Sequence, residues 1–215
     1  MKIKWLGHSS FLITSDTGIK IITDPYFTRD GINYDEIKES ADIVTVSHSH
    51  SDHTNVAGVR GNPYKVTGMP VVEVKGIKFK GVPTYHDEAM GTLRGNNNII
   101  CFEVNGIRVC HLGDLGHPLD DKQVAELNSI DILLVPVGGY FTIDAKVASQ
   151  LCDRLKPKVV IPMHFKNNKC AYPIAGVEEF LKGKKDTRKR NISEEEFKQG
   201  ELPASTQIIV LKSAL

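Results

Sequence analysis

Short alternating apolar runs fill the first half of the chain, and longer unbroken ones appear in the second. Lys2–Leu6, Phe11–Thr14 and Lys20–Thr23 are apolar, β-branched stretches divided by Gly and Ser/Asp turns, a pattern that predicts three strands. Asp16-Thr17-Gly18 supplies a hairpin turn between the second and third. Ile43–Val46 is a further strand that runs directly into a cluster of histidines. Val71–Val74 and Ile77–Gly81 flank Lys75-Gly76, and Ile99–Val104 and Ile107–His111 flank Asn105-Gly106, the strongest hairpin signal in the chain. Asp131–Val135 and Lys158–Ile161 are continuous apolar runs, as expected of strands covered on both faces. Between them, Asp144–Leu155 places Ala145, Ala148, Leu151, Cys152 and Leu155 at helical spacing, with Asp144 as its cap and Pro157 just beyond its end. Asp120–Asn128 and Gly176–Leu181 are further helix candidates, and Gln207–Leu211 reads as a last strand. The basic run Lys182–Arg190 reads as a solvated loop, continued by a polar, poorly ordered segment over Asn191–Gly200. A β-rich half followed by alternating strand and helix predicts an α/β (α+β) chain in one domain over residues 1–215.

Composition narrows the classes without choosing one. With 215 residues the chain can bury a core without disulfides. Lys+Arg 27 against Asp+Glu 26 leaves no global field to attract nucleic acid or anionic lipid. No apolar run approaches the roughly 18 residues needed to cross a membrane, and the N-terminus lacks the apolar core of a signal peptide. Cys101, Cys110, Cys152 and Cys170 are widely spaced and read as unpaired, structural residues, which favours the cytoplasm.

The chemistry concentrates in Ser47-His48-Ser49-His50-Ser51-Asp52-His53, where four potential metal ligands follow a strand within six residues. In extended backbone, His48 and His50 share a face and can grip one ion. A turn into a helix after them would aim Asp52 and His53 at a neighbouring position and set Asp52 near the helix N-terminus. Imidazole and carboxylate suit zinc, and also iron or manganese. His86, Asp114 and His164 each follow an apolar strand-like segment, so each can stand on a loop at a sheet end.

H-x-H-x-D-H after an apolar strand resembles the signature of the metallo-β-lactamase superfamily, and the resemblance runs along nearly the whole chain. It implies a four-layer αββα sandwich. It also implies two divalent metal ions, zinc first with manganese or iron as alternatives. His48, His50 and His86 would hold one, Asp52, His53 and His164 the other, and Asp114 would bridge them. Asp24, in Ile21-Ile22-Thr23-Asp24-Pro25, resembles the family's early aspartate that orients a ligating histidine. Asp87, beside His86, is a competing ligand. The Gly7-His8-Ser9 turn resembles a feature of the branch that includes ascorbate-6-phosphate lactonase, which implies that His8 reaches the metal cleft; a plain turn residue is the alternative.

The activity implied is hydrolysis of a small ester, lactone or phosphoester by a metal-bridging hydroxide, with Asp52 orienting the nucleophile or moving a proton. His8 and His117 are further catalytic candidates, His117 because Gly116-His117-Pro118 lies just beyond Asp114. His111 reads as structural. Tyr140 or Thr142, and Arg94 on the glycine-containing segment Tyr85–Asn98, are candidates for the rim, with Arg94 suited to an anionic substrate. A phosphodiester nuclease of the same superfamily and a non-catalytic metal-binding regulator are the competing functions. The partner expected is a small molecule rather than nucleic acid or a membrane, with a homo-oligomer left open.

Overall fold

A computed structural model of the chain describes residues 1–68 and 71–215. In chain order its strands are β1 (Lys2–Gly7), β2 (Ser10–Thr14), β3 (Lys20–Thr23), β4 (Ile43–Thr45), β5 (Tyr64–Val66), β6 (Val72–Val74), β7 (Ile77–Tyr85), β8 (Asn96–Val104), β9 (Ile107–His111), β10 (Ile132–Pro136), β11 (Val159–Met163), β12 (Thr187–Lys189), β13 (Glu194–Glu196) and β14 (Gln207–Val210). The α-helices are α1 (Asp121–Leu127), α2 (Ala145–Leu155) and α3 (Val177–Leu181).

The strands form two sheets, one ordered β13-β1-β2-β3-β4-β5 and the other β12-β14-β11-β10-β9-β8-β7-β6. Alternation in the first sheet separates two apolar layers. Ile3, Phe11, Ile13, Ile21 and Ile43 join the large core shared with the second sheet. Their neighbours Leu6, Leu12, Ile22 and Val44 face the opposite side and pack under Tyr26, Ile32, Tyr34 and Ile37. The outer cover of that sheet is therefore mostly irregular chain, joined by the 3₁₀ turn Val56–Gly58, where the resemblance implied helices. The α-helices belong to the second sheet. α2 is the crossover between the parallel neighbours β10 and β11, α3 packs beside it, and Lys80 on β7 donates to the carbonyl of Glu126 on α1. The predicted cap at Asp144 forms, accepting from Val147 N–H, and Asp120, which the sequence reading did not single out, accepts from Gln123 N–H in a capping box.

Turn chemistry sets the register of the hairpins. Asn105 and Gly106 take φ of 53° and 70°, and Lys75 and Gly76 take 50° and 76°, the left-handed pairs that tight two-residue connections require. Strand continuation is where local reading falls short. β7 runs on to Tyr85 and β8 starts at Asn96, so Asn96-Asn97-Asn98 is strand and not loop. Within the basic and polar stretches, Thr187–Lys189 pairs with β14 and Glu194–Glu196 pairs with β1. Charged residues on such short edges blunt further pairing, and they carry no apolar alternation that would mark them as strands.

The cysteine expectation is corrected in part. Cys101 and Cys110 stand directly opposite each other on β8 and β9, Cα atoms 4.2 Å apart, and form a disulfide. The two-residue turn at Asn105-Gly106 sets this register, pairing Val104 with Ile107 and so Cys101 with Cys110; the sequence reading identified the hairpin without following its register to the cysteines. Cys152 and Cys170 are free and buried. The unpaired-cysteine argument for a cytoplasmic setting loses this pair. No helix among the described residues is long and apolar enough to cross a membrane.

Candidate metal centre

The candidate residues all follow strand ends. His8 follows β1, Asp24 follows β3, the His48–His53 cluster follows β4, His86 follows β7, Asp114 follows β9 and His164 follows β11. Because β3 runs parallel to β4, and β9, β10 and β11 are mutually parallel, the loops leaving their C-terminal ends gather at one edge of each sheet. The predicted helix after His53 does not form. The chain bends through residues 47–53 and enters only the 3₁₀ turn, so no α-helix N-terminus stands beside Asp52.

Two groups of ligand atoms result, each with its members within 4.8 Å of one another: His48, His50 and His86; and His8, Asp52, His53 and His164. A third, Asp24 with His48 and His53, is built on a carboxylate whose oxygens already accept from Ser47 and His53. Asp114 joins them. Its Oδ2 lies 3.2 Å from Nε2 of His53, of His86 and of His164, and 3.9 Å from Nε2 of His48. His8 Nε2 is 3.3 Å from Asp52 Oδ2, and its ring lies against that of His164 at 4.2 Å. The structure thus brings His8 and the seven residues of the implied ligand set into one cleft.

Outer contacts aim the rings. Asp24 is fully buried and accepts from Ser47 N–H (2.8 Å), from the Ser47 hydroxyl, and from His53 Nδ1–H (2.9 Å). The hydroxyl has one proton and gives it to Asp24, so His48 Nδ1–H donates to Ser47 Oγ at 2.9 Å. Both histidines are thereby held in the tautomer that frees Nε2 for a metal. Asn97, which sequence reading passed over, is also fully buried. It accepts from Asp114 N–H (3.0 Å) and donates to Thr84 Oγ1 and the Leu112 carbonyl. Its polar type inside a strand was the available signal. Gly113 has φ of 57°, and a Cβ there would run into Asn97 and Ser47.

Other sequence candidates sit elsewhere. Asp87 is no ligand: its carboxylate accepts from the backbone N–H groups of Ala89, Gly91, Leu93 and Arg94. Burial works against its charge, and those four donors hold its carboxyl below the usual range. His117 is not brought to the cleft. Its Nε2 accepts from Tyr85 N–H (3.1 Å) and its Nδ1–H donates to the Pro118 carbonyl (2.8 Å), so both nitrogens are committed to backbone. His111 is buried with Nε2–H donating to Ser9 O and Nδ1 accepting from Gly113 N–H. Tyr172, absent from the sequence candidates, donates its hydroxyl to Asp52 Oδ2 at 3.4 Å.

The electrostatics suit a cation. Burial, reinforced by His53, pushes His48 down to about 3, and burial with His164 pushes His8 down to about 4, so both rings are neutral lone-pair donors near pH 7. Burial opposes the charge on Asp114, but His164 and His53 outweigh it and hold the carboxyl well below its ordinary range. Burial likewise opposes a charge on Asp52, which His53 and His8 nevertheless keep ionised. Buried Nε2 of His48, His53 and His164, and Oδ1 of Asp114, have no hydrogen-bond partner among the described residues. Native proteins seldom leave such atoms unpaired, and N/O donors of this kind are those a divalent transition metal takes. The residues therefore fit metal ions. The cleft in front of them measures about 410 Å³, within the ~300–1,000 Å³ usual for small-molecule sites. A larger hollow of about 810 Å³ beside the C-terminal residues carries none of these histidines.

Residues 2–164 match the family model of the beta-lactamase superfamily domain, which agrees with the fold and with a cleft built at strand ends. The chain belongs to this superfamily and, within it, to the UPF0173 metal-dependent hydrolases. It is 34% identical over 194 residues to the UPF0173 metal-dependent hydrolase of Carboxydothermus hydrogenoformans, covering 77% of this chain and 84% of the relative. It is 30% identical over 198 residues to that of Archaeoglobus fulgidus, covering 77% and 83%. The crystal structure of a metallo-beta-lactamase superfamily protein from Thermotoga maritima superposes with a TM-score of 0.80 at 38% identity, over 98% of this chain and 97% of that one.

Proposed function

We propose that the chain, acting as one domain, binds two divalent metal ions and hydrolyses a small ester, lactone or phosphoester. His48, His50 and His86 would hold one ion. Asp52, His53 and His164 would hold the other with His8 at its side, and Asp114 would reach both. One observation carries this reading: a single carboxylate oxygen of Asp114 stands 3.2 Å from histidines of both groups. Zinc leads, because the donors are imidazole and carboxylate and the Thermotoga maritima neighbour is provisionally named Zn-dependent; manganese and iron share the same donor chemistry. The His8 ring inside the cleft supports kinship with the ascorbate-6-phosphate-lactonase-like branch.

Bound ions of this kind lower the pKa of a water and polarise a substrate oxygen. The chain's own residues supply the rest. Asp52 Oδ2 takes hydrogen bonds from both His8 and Tyr172, which orients this carboxylate toward the cleft. Burial and the Asp52 charge hold the Tyr172 phenol far above its usual range, so it keeps its proton and can donate to oxygen that gains charge. Phe141 and Leu93 give the cleft apolar walls that limit water. The nuclease alternative finds little support, since Lys182, Lys189 and Arg190 of the basic stretch pair with Glu179, Glu178 and Glu195. A cytoplasmic setting and a free choice of oligomeric state belong to the same proposal.

Elemental analysis of protein purified without chelator tests it, with His48→Ala alongside. The expected result is about two ions per chain, fewer in the variant, together with metal-dependent cleavage of a lactone, ester or phosphodiester lost in Asp52→Ala. Protein that neither carries nor takes up metal would overturn the proposal.

A further inference from the structure

We propose that Arg94 anchors an anionic group of the substrate, so that the enzyme selects esters or lactones bearing a carboxylate or phosphate set apart from the scissile bond. The inference rests on the hydrolase reading above and names its substrate class. Histidines aside, Arg94 is the cationic side chain lining the metal cleft. Arg29, Arg154 and Arg190 are spent on Asp30, Asp121 and Glu195, whereas no carboxylate among the described residues lies within ion-pair distance of Arg94. Its guanidinium instead lies over the ring of Phe141, 5.5 Å from the centroid, a support that leaves the donor fork available.

The loop that presents Arg94 is built to hold it there. The buried Asp87 carboxylate gathers the N–H groups of Ala89, Gly91, Leu93 and Arg94. Gly95 N–H donates to Gly91 O, and His86 N–H donates to Gly95 O at 3.0 Å, which ties the base of the loop to a residue of the metal centre. A preorganised cation loses little freedom when an anion arrives. Position then suggests which part of the substrate it reads. Arg94, Leu93 and Phe141 line both the metal cleft and an adjoining hollow of about 300 Å³, whose other walls include Asp87 and Asp144, both accepting from backbone N–H groups, and the exposed Glu88. A substrate whose reacting carbonyl or phosphorus lies over the histidines would set its anionic end against Arg94 at this partition, short of the carboxylates that line the hollow.

Two paired probes separate the inference from the hydrolase reading. Calorimetry on the metal-loaded protein compares pentanoate with glutarate; each offers one carboxylate to the metals, and only glutarate carries a second. The expected result is glutarate binding about 10-fold tighter than pentanoate, with the advantage abolished in Arg94→Ala and partly retained in Arg94→Lys, which keeps charge but not the fork. 4-Phosphonobutanoate in place of glutarate tells whether a phosphate-type anion is preferred. Kinetics then compare mono-4-nitrophenyl glutarate with 4-nitrophenyl pentanoate. The ratio of their kcat/KM values should fall about 10-fold in Arg94→Ala, through KM. Equal binding of glutarate and pentanoate by the wild type, or an advantage that survives Arg94→Ala in protein with an unchanged melting curve, would overturn the proposal. If neither ester is cleaved while glutarate keeps its Arg94-dependent advantage, ester hydrolysis fails and the anion site stands.

Discussion

At the scale of single residues, the site depends as much on groups behind the ligands as on the ligands. Asp24 does not line the open cleft, yet it fixes the His53 tautomer directly and that of His48 through Ser47. Asp24→Ala is therefore expected to weaken metal binding about 10- to 100-fold, read by competition against a chromogenic chelator; unchanged affinity would mean the rings orient themselves. Gly113 works by absence of a side chain. Alanine there has to hold a left-handed φ and collide with Asn97 and Ser47, the residues that hold Asp114 and His48. Gly113→Ala should cost at least about 2 kcal/mol of stability, visible as a lowered denaturant midpoint, with metal content falling in step. Aspartate 24 and the histidine cluster were legible because their types and spacing are chemical. Asn97 and Tyr172 were not: an asparagine in a polar run and a tyrosine in a loop are common, and only the pairing of β7, β8 and β9 shows what Asn97 faces, as only the approach of the loop after β11 to the histidine cluster brings Tyr172 to Asp52.

Elements are held together by contacts that cross between segments remote in sequence. Lys4 of β1 pairs with Glu39 of the irregular cover at 2.8 Å, both side chains largely shielded. Burial alone would raise the Glu39 carboxyl, but the ammonium outweighs it and the pKa lies below the usual 4.5. A depressed folded-state pKa means stability that is present above 4.5 and lost as pH falls through the folded value. Glu39→Gln should lower the unfolding free energy by up to about 1 kcal/mol at pH 7, and the wild-type and variant curves should converge in acid. Within the second sheet, the Cys101–Cys110 bridge staples β8 to β9, whose ends carry Asn97 and lead to Asp114. The double variant Cys101→Ala/Cys110→Ala is expected to lose about 2 kcal/mol under oxidising conditions, while reductant lowers the wild-type melting temperature toward that of the variant. A melting temperature insensitive to reductant would show the bridge contributes nothing.

For the whole molecule, the cleft couples stability to metal. Three carboxylates and a cluster of histidines meet at the junction of two sheets, where each uncompensated charge costs several kcal/mol. Ions bound there stabilise the folded chain by an amount that grows with the logarithm of their free concentration over the dissociation constant, about 2.7 kcal/mol at one hundred times that constant. Chelation should lower the melting temperature by several degrees, and added zinc or manganese should restore it; a melting curve indifferent to chelator would mean that the cluster is stable without a cation.

The sequence alone determined the strands with clear alternation, the hairpins at Asn105-Gly106 and Lys75-Gly76, the capped helix after Asp144, and a ligand set concentrated in His48–His53. Each of these is a local property: periodicity, turn dihedrals, or donor types a few residues apart. Tertiary structure decided what depends on pairing across distance. It turned the Asn96–Asn98 run into strand and drew Thr187–Lys189 and Glu194–Glu196 onto sheet edges. It committed both His117 nitrogens to backbone while drawing His8 into the cleft, although each histidine follows a glycine in a polar turn. Their local signals were equivalent; both loops open at the ligand-bearing edge, but beyond Asp114 the second is tied to the end of β7 through Gly116 and Tyr85, which turns His117 onto backbone.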